Sequence, residues 1–227
     1  MNKSPGENRF INALKKVYSH KKIIIFVLAS FYAMGILWHA LPFTYPLMLI
    51  LTPYVLLIFG LFIFGAGLLE GGKLFLGWAV ITFLATFAVE AAGVATGNVF
   101  GEYYYGDVLG AKILDVPLVI GFNWTIVVFG LASFVGRFIS NRLVAAFLTA
   151  CGGVVFDWLM EPIAMALGYW GWIGDKVPLQ NYLAWFIIGF AAALGYFLLR
   201  FRIKSDYPPI YVLIQSLFFV GLRFVVV

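Results

Sequence analysis

The chain alternates between long apolar stretches and short polar breaks that contain glycine or proline. About seven of the stretches approach the roughly 20 residues that a helix needs to cross the apolar core of a bilayer. They run from Ile23 to Leu41, Pro46 to Leu69, Leu74 to Gly97, Pro117 to Gly136, Leu143 to Gly168, Tyr182 to Leu199 and Pro209 to Val225. The stretches are apolar throughout, whereas the strands of a membrane barrel alternate polar and apolar residues. The pattern predicts an all-α, polytopic bundle of about seven transmembrane helices.

The composition excludes other broad classes of protein. Of the 227 residues, 63% are hydrophobic and 11% are charged, against about 45–50% and about 25% in an average soluble domain. Disordered chains need the opposite balance, with low hydrophobicity and high charge. The single cysteine, Cys151, lies in an apolar stretch, so no disulfide framework is expected. We expect one integral membrane domain over residues 23–227, preceded by a basic cytoplasmic tail over residues 1–22.

The positive charges predict an orientation in the membrane. If the chain crosses the membrane an odd number of times, twelve of the 15 Lys and Arg residues lie on the same side as the N-terminus. The three exceptions are Lys112, Lys176 and Arg223. Because loops rich in Lys and Arg stay in the cytoplasm, we expect a cytoplasmic N-terminus, an outer C-terminus and a multi-pass protein of the inner, cytoplasmic membrane. The net charge of +5 is then explained by the orientation of the protein in the membrane, and we expect no nucleic-acid partner.

Three carboxylates fall inside the predicted spans: Glu90 in the third, and Asp157 and Glu161 in the fifth. Each costs roughly 2.5–3.5 kcal/mol at the centre of a membrane helix, so such residues usually face the bundle interior and carry function. Asp157 and Glu161 are one helical turn apart, and counting along the spans places all three in the outer half. With no basic residue at that depth, we expect a protonated acid beside an ionised carboxylate, as acid/base chemistry requires. Structural hydrogen bonding between helices is the alternative.

Aromatic residues cluster at the same level, in the loops from Asn98 to Val116 and from Tyr169 to Asn181 and in the adjoining helices. They are Tyr103, Tyr104, Tyr105, Trp124, Trp158, Trp170, Trp172 and Trp185. Tyr and Trp also form belts at membrane interfaces whatever the function, but the grouping in two loops suggests a ligand wall whose ring faces stabilise a cation. We expect His39 to be an interfacial histidine, although a proton relay is an alternative.

Metal and cofactor motifs are weak or missing. The spacing Asp157-x-x-x-Glu161 suits a divalent metal that holds a diphosphate, but there is no second Asp-rich motif and no nearby basic residue. The chain has no Gly-rich phosphate loop and no dinucleotide fingerprint. We therefore expect no metal and no cofactor, and chemistry done by carboxyl groups, water and aromatic rings.

Several motifs, in order, resemble the membrane-embedded carotenoid biosynthesis family of bacteria and archaea. In the first half they are Glu90-x-x-Gly93-x-x-Thr96-Gly97, Phe100-Gly101-x-Tyr103-x-Tyr105 and Val116-Pro117 with Trp124 downstream. In the second half they are Asp157-x-x-x-Glu161-Pro162, Gly168-x-Trp170-x-Trp172 and Val177-Pro178-x-x-Asn181-x-x-x-Trp185. The similarity extends from about Glu90 to Trp185, and the first two and last two helices match only as hydrophobic spans.

The resemblance implies a carotenoid 1,2-hydratase, which adds water across the terminal C1,C2 double bond of an acyclic ψ end to give a tertiary alcohol. It implies Glu90, Asp157 and Glu161 as catalytic residues, with Asp157 or Glu161 donating the proton. The implied substrate-binding residues are Tyr103, Tyr105, Trp124, Trp170, Trp172, Asn181 and Trp185. The partners would be a carotenoid dissolved in the bilayer, water, lipid and, in some settings, other carotenoid enzymes.

Three alternatives stay open at this point. A carotenoid end-group cyclase would use the same protonation and quench the cation with an internal double bond. A proton-coupled transporter would line an aqueous path with the three carboxylates, but the inner halves of the spans hold almost no ionisable groups. A scaffold for other carotenoid enzymes would not need the carboxylates.

Overall fold

The computed structural model describes residue 14 and residues 16–201 and 203–227. In this part of the chain, the helices with defined bounds are α1 (Lys21–Ala40), α2 (Tyr45–Thr96), α3 (Leu118–Val135), α4 (Arg142–Ala166), α5 (Leu179–Leu198) and α6 (Tyr207–Arg223). Within the described ranges, α1 to α5 are long and apolar enough to cross a membrane. Most of the predicted basic tail, residues 1–13 and 15, lies outside the described residues.

Helix α2 contains the two spans that the sequence predicts on either side of residues 70–73, because a sharp bend at Gly72 divides it. It is one element of 52 residues, which as a straight helix would be about 78 Å long, more than twice the thickness of a bilayer core. The backbone turns sharply at Gly72, where φ is 58°, and the rings of Phe64 and Phe75 approach to 5.5 Å. Glycine adopts this left-handed conformation without steric cost, so α2 folds back as two antiparallel spans.

With α2 counted twice, the described residues form seven helical segments, and the predicted all-α membrane bundle is confirmed. The observed helix ends lie within a few residues of those predicted. The side chain of Asn141 caps α4 by accepting from the backbone N–H groups of Leu143 and Val144, at 3.0 and 3.1 Å. Helix α5 starts at Leu179, three residues before the predicted start at Tyr182, so Asn181 lies in its first turn and not in a loop.

Helix α3 is the central helix of the bundle, with buried residues on all sides. Two glycines allow close packing there. A Cβ atom on Gly121 would lie 3.2 Å from the carbonyl oxygen of Phe83 on α2, and one on Gly130 would lie 2.6 Å from that of Pro208 on α6. The outer helices instead expose large apolar side chains, such as Phe26, Ile81 and Ile187, as a lipid-facing surface requires.

One end of the bundle carries the basic flanks of the helices. Lys21 and Arg137 both form ion pairs with Asp206, which precedes α6. Hydrogen bonds from Lys21 and then from Arg137 hold the pKa of Asp206 below its usual value. The segments that begin α1, follow α3 and precede α6 therefore share one end, as the charge pattern requires. That this end is cytoplasmic stays a prediction.

Four short strands form at the other end, and the sequence did not predict them. They are β1 (Tyr103–Tyr105), β2 (Lys112–Ile113), β3 (Val116–Pro117) and β4 (Trp170–Trp172). Strand β2 pairs with β3 within one loop, whereas β1 pairs antiparallel with β4 from the other loop. The two longest loops of the chain are thus joined through backbone hydrogen bonds.

Candidate active site

The pairing of β1 with β4 directs four aromatic side chains toward the helices. Tyr103 lies opposite Trp172, and Tyr105 lies opposite Trp170. Because side chains alternate along a strand, these four share one face, while Tyr104 lies on the other face and is exposed. The sheet therefore covers the bundle with two phenols and two indoles.

Close contact between the two loops depends on a glycine. The Gly106 N–H donates to the carbonyl of Tyr169 at 2.9 Å. A Cβ atom on Gly106 would lie 2.0 Å from the carbonyl oxygen of Gly168, well inside van der Waals contact. Only glycine allows the two backbones to approach in this way.

Glu90, near the end of α2, accepts hydrogen bonds from two tyrosines of β1. Its Oε2 atom accepts from the hydroxyl of Tyr103 at 2.5 Å and from that of Tyr105 at 2.8 Å. Burial raises the pKa of both phenols well above the usual value, and the adjacent Glu90 charge raises it further. Both tyrosines therefore keep their protons and act as donors.

Glu161, on α4, accepts hydrogen bonds from two tryptophans of β4. Its Oε2 atom accepts from the indole N–H of Trp170 at 3.0 Å and from that of Trp172 at 2.9 Å. An indole N–H donates only, so these two bonds favour the ionised form of the Glu161 carboxyl.

Asn181 links the two carboxyl groups of α4. Its Nδ2 atom donates to Asp157 Oδ2 at 2.7 Å and to Glu161 Oε1 at 3.3 Å. Pro178 precedes α5 and its carbonyl accepts the Asn181 N–H at 3.0 Å, so the first turn of the helix positions the amide. Asp157 thus has a single hydrogen bond from the described residues, against three for Glu161.

The three carboxyl groups are buried without a cationic partner. Glu90 is 3% exposed, Asp157 1% and Glu161 2%. Among the described residues, no Lys, Arg or His side chain lines their pocket, and no cluster of His, Cys, Asp and Glu is arranged to hold a metal ion. Because like charges repel strongly in a buried site, the pocket favours a mixed state in which at least one carboxyl group is protonated.

Stacked aromatic rings form the wall of the pocket. The rings of Trp124 and Trp185 stack with centroids 3.4 Å apart, and Phe100 stacks on Trp185 at 5.1 Å. Trp172 packs against Tyr103 at 5.0 Å. A wall of this kind presents π faces, which attract a positive charge.

The structure brings all ten residues proposed from the sequence around one pocket of about 30 Å³. Four further residues line it that were not proposed as site residues from the sequence: Phe100, Ile120, Asn123 and Met160. Asn123 had a usable signal, since it is a polar residue inside an apolar helix and directly precedes Trp124. Trp158 and Tyr104 do not join the pocket, since both are exposed, and Arg223 lies 5.8 Å above the Trp158 ring.

A second, mainly apolar cavity of about 130 Å³ adjoins this pocket. The two share four lining residues, Ile120, Asn123, Met160 and Trp170. Phe31, Met34 and Trp38 of α1 also line the apolar cavity and are exposed on the outside of the bundle. The cavity therefore extends from the four residues that it shares with the carboxyl pocket to the exposed apolar surface of α1. It also contains His39, which lies in the last turn of α1 and is buried against the neighbouring helices.

Comparison with known proteins identifies the family. The sequence model of the carotenoid biosynthesis protein family matches residues 44–225, which is most of the chain, so the protein belongs to that family. This confirms the resemblance drawn from the motifs.

One curated relative points to a reaction type. Over 119 residues the chain is 30% identical to the bisanhydrobacterioruberin hydratase of Haloarcula japonica, and the match covers 49% of this chain and 41% of the relative. The chain thus spans about two fifths of the length of the curated relative that it matches. No solved structure matches the chain.

Proposed function

We propose that the protein is a carotenoid hydratase of the inner, cytoplasmic membrane that adds water across the terminal C1,C2 double bond of an acyclic ψ end. The observation that carries this proposal is the group of three buried carboxyls, which lack a cationic partner among the described residues and adjoin an apolar cavity open to lipid. Membership of a carotenoid biosynthesis family and similarity to a hydratase support it.

The hydrogen bonds suggest which carboxyl group donates the proton. Glu161 accepts from three N–H groups, which favours its carboxylate form. Asp157 accepts only from Asn181, through Oδ2, so its Oδ1 atom accepts no bond from the described residues and can hold a proton. Asp157 is therefore the general acid, and the ionised Glu161 stabilises the positive charge that follows.

The reaction balances as the addition of one water molecule. The Asp157 proton bonds to C2 of the alkene, and the two π electrons form the new C–H bond and leave a tertiary cation at C1. Faces of the stacked rings of Trp124 and Trp185 stabilise this cation. Water bonds to C1 through its oxygen and loses a proton to a carboxylate. No electron is gained or lost, so the proposed step needs no redox cofactor.

Glu90 is placed to position the water. The two tyrosines occupy its Oε2 atom, and Oε1 accepts no hydrogen bond from the described residues. A water molecule can donate to this oxygen and pass its proton there after attack. Return of that proton to Asp157 through pocket water completes the cycle.

The apolar cavity supplies the route for the carotenoid. A polyene dissolved in the bilayer reaches the pocket from the side, past Phe31, Met34 and Trp38, without crossing water. Its reacting end enters the carboxyl pocket, and its chain occupies the apolar cavity and the adjacent lipid.

Pigment analysis in cells that make lycopene tests the proposal. Expression of the chain should yield pigments heavier by one water per reacted end, and Asp157→Asn, Glu161→Gln and Glu90→Gln should each abolish them. Glu102→Gln is the matched control, because it makes the same change at an exposed carboxyl group of the adjacent loop. Isomers of unchanged mass would instead indicate cyclisation, and unchanged hydration in all three variants would refute the proposed chemistry.

A further inference from the structure

Two buried hydrogen-bond acceptors in the apolar cavity lack donors. His39 Nε2 and Gln215 Oε1 are buried and have no hydrogen-bond partner among the described residues. His39 is 7% exposed and Gln215 is 1% exposed, and both residues line the apolar cavity next to the carboxyl pocket. A buried polar atom without a partner costs free energy, so each calls for an explanation.

The surrounding bonds fix both atoms as acceptors. His39 Nδ1 lies 2.7 Å from the carbonyl oxygen of Gly35, so Nδ1 carries the proton and Nε2 of the neutral ring has a free lone pair. The amide nitrogen of Gln215 donates to the hydroxyl of Tyr211 at 3.2 Å and to Asn123 Oδ1 at 3.5 Å. This orientation leaves the Gln215 carbonyl oxygen as an acceptor, and the missing partner in each case is a donor.

We propose that the apolar cavity binds an isoprenoid alcohol, whose hydroxyl group donates to one of the two unpartnered acceptors, His39 Nε2 or Gln215 Oε1. The apolar lining requires a mainly hydrocarbon ligand, and the two acceptors require that it carry O–H. The choice of an isoprenoid chain rests on the proposed function, whereas the need for a donor rests on the hydrogen bonds alone.

The position of the site relative to the carboxyl pocket gives it a role. Asn123 lines both cavities and accepts from Gln215, so the alcohol site begins where the reaction pocket ends. The proposed hydration creates a hydroxyl group in the carboxyl pocket. The site can therefore bind the hydroxylated product in preference to the unreacted hydrocarbon. A purely apolar cavity would not make this distinction.

Equilibrium binding of a matched pair of probes tests the proposal. The probes are geranyllinalool, an acyclic diterpene with a tertiary hydroxyl, and its methyl ether, which keeps the oxygen and loses the donor. Binding is measured to the full chain in lipid nanodiscs, with binding to empty nanodiscs subtracted. We expect the protein to bind the alcohol about tenfold more tightly than the ether, as a hydrogen bond to a buried acceptor implies.

Substitution of the two acceptors should remove this preference. In the variant with His39→Phe and Gln215→Met, the ratio of the two affinities should fall to about one, while the ether still binds and so reports an intact cavity. Thr52→Val is the matched control. Its hydroxyl lines the same cavity but already donates to the Met48 carbonyl at 2.9 Å, so the ratio should stay near tenfold.

The binding assay has distinct outcomes for and against the alcohol site. Equal binding of alcohol and ether by the unaltered protein would overturn the proposal, as would a preference that survives in the double variant. If the double variant loses ether binding as well, the affinity ratios of the two single variants decide in the same way. The assay involves no turnover, so it can fail while hydration is observed and can succeed while hydration is absent.

Discussion

The amide of Asn181 offers the sharpest test of how the carboxyl pair works. Replacement of Asn181 by Leu keeps a similar volume and removes the two hydrogen bonds that join Asp157 Oδ2 and Glu161 Oε1 to one nitrogen, at 2.7 and 3.3 Å. Hydrogen bonds to charged groups are worth about 1.5–3 kcal/mol each, and the longer bond here counts for less. We expect the barrier to rise by about 2–4 kcal/mol, which is a rate loss of about 30-fold to about 1,000-fold.

The assay is the initial rate of hydrated product from an acyclic carotenoid supplied to the full chain in lipid nanodiscs, resolved by chromatography and mass. Gln180→Leu is the matched control, since it removes an amide at the neighbouring position, where the side chain is exposed and donates to the Asn98 carbonyl outside the pocket. The control should keep its rate. An Asn181→Leu rate within about threefold of the unaltered protein would refute the view that this amide holds the acid pair in a working arrangement.

Three further predictions concern the loops and the basic end. Trp170→Phe and Trp172→Phe should each lower the hydration rate about tenfold or more by removing one indole donor, and the double variant should lose less than the product of the two because both bond one oxygen. Gly106→Ala should lower the melting temperature and the hydration rate together, since its Cβ would meet the Gly168 carbonyl oxygen at 2.0 Å; an unchanged melting temperature would contradict this. The pKa of Asp206 is lowered from 3.8, so its ion pairs stabilise the protein above about pH 4 and the stabilisation is lost as pH falls through the folded-state pKa. Asp206→Asn should therefore lower stability at pH 7 by about 1 kcal/mol or less and by progressively less as the pH falls below 4, as denaturant titration over a pH series will measure.

The features of the fold that could be predicted from sequence are those that depend on the local pattern of apolar and polar residues. The lengths of the apolar stretches predicted the helical segments, because a bilayer fixes how long a spanning helix must be. The turn at Gly72 lies in the break predicted between Leu69 and Leu74, because the charged and glycine residues at 70–73 interrupt the apolar run. The pairing of β1 with β4 was not predicted, because it joins residues that lie about 67 positions apart in the sequence.

The sequence predicted which residues form the candidate site better than it predicted the hydrogen bonds between them. Carboxylates in apolar spans stand out by their cost, and equal depth along two helices indicated that Glu90 and the α4 pair meet. The sequence suggested that the tyrosines and tryptophans act as ring faces. Their donation to Glu90 and Glu161 depends on a strand register that only the folded chain defines.

The strand pair also sets an order of events during synthesis. When the chain has emerged only as far as Arg137, it contains Glu90 and the tyrosines of β1 but neither Asp157 nor Glu161. The carboxyl pair of α4 and strand β4 follow with the next helix, and Asn181 follows only with α5. The carboxyl pocket is thus among the last parts of the protein to form, and a chain that stalls in α4 has only the β1 tyrosines as hydrogen-bond donors to Glu90.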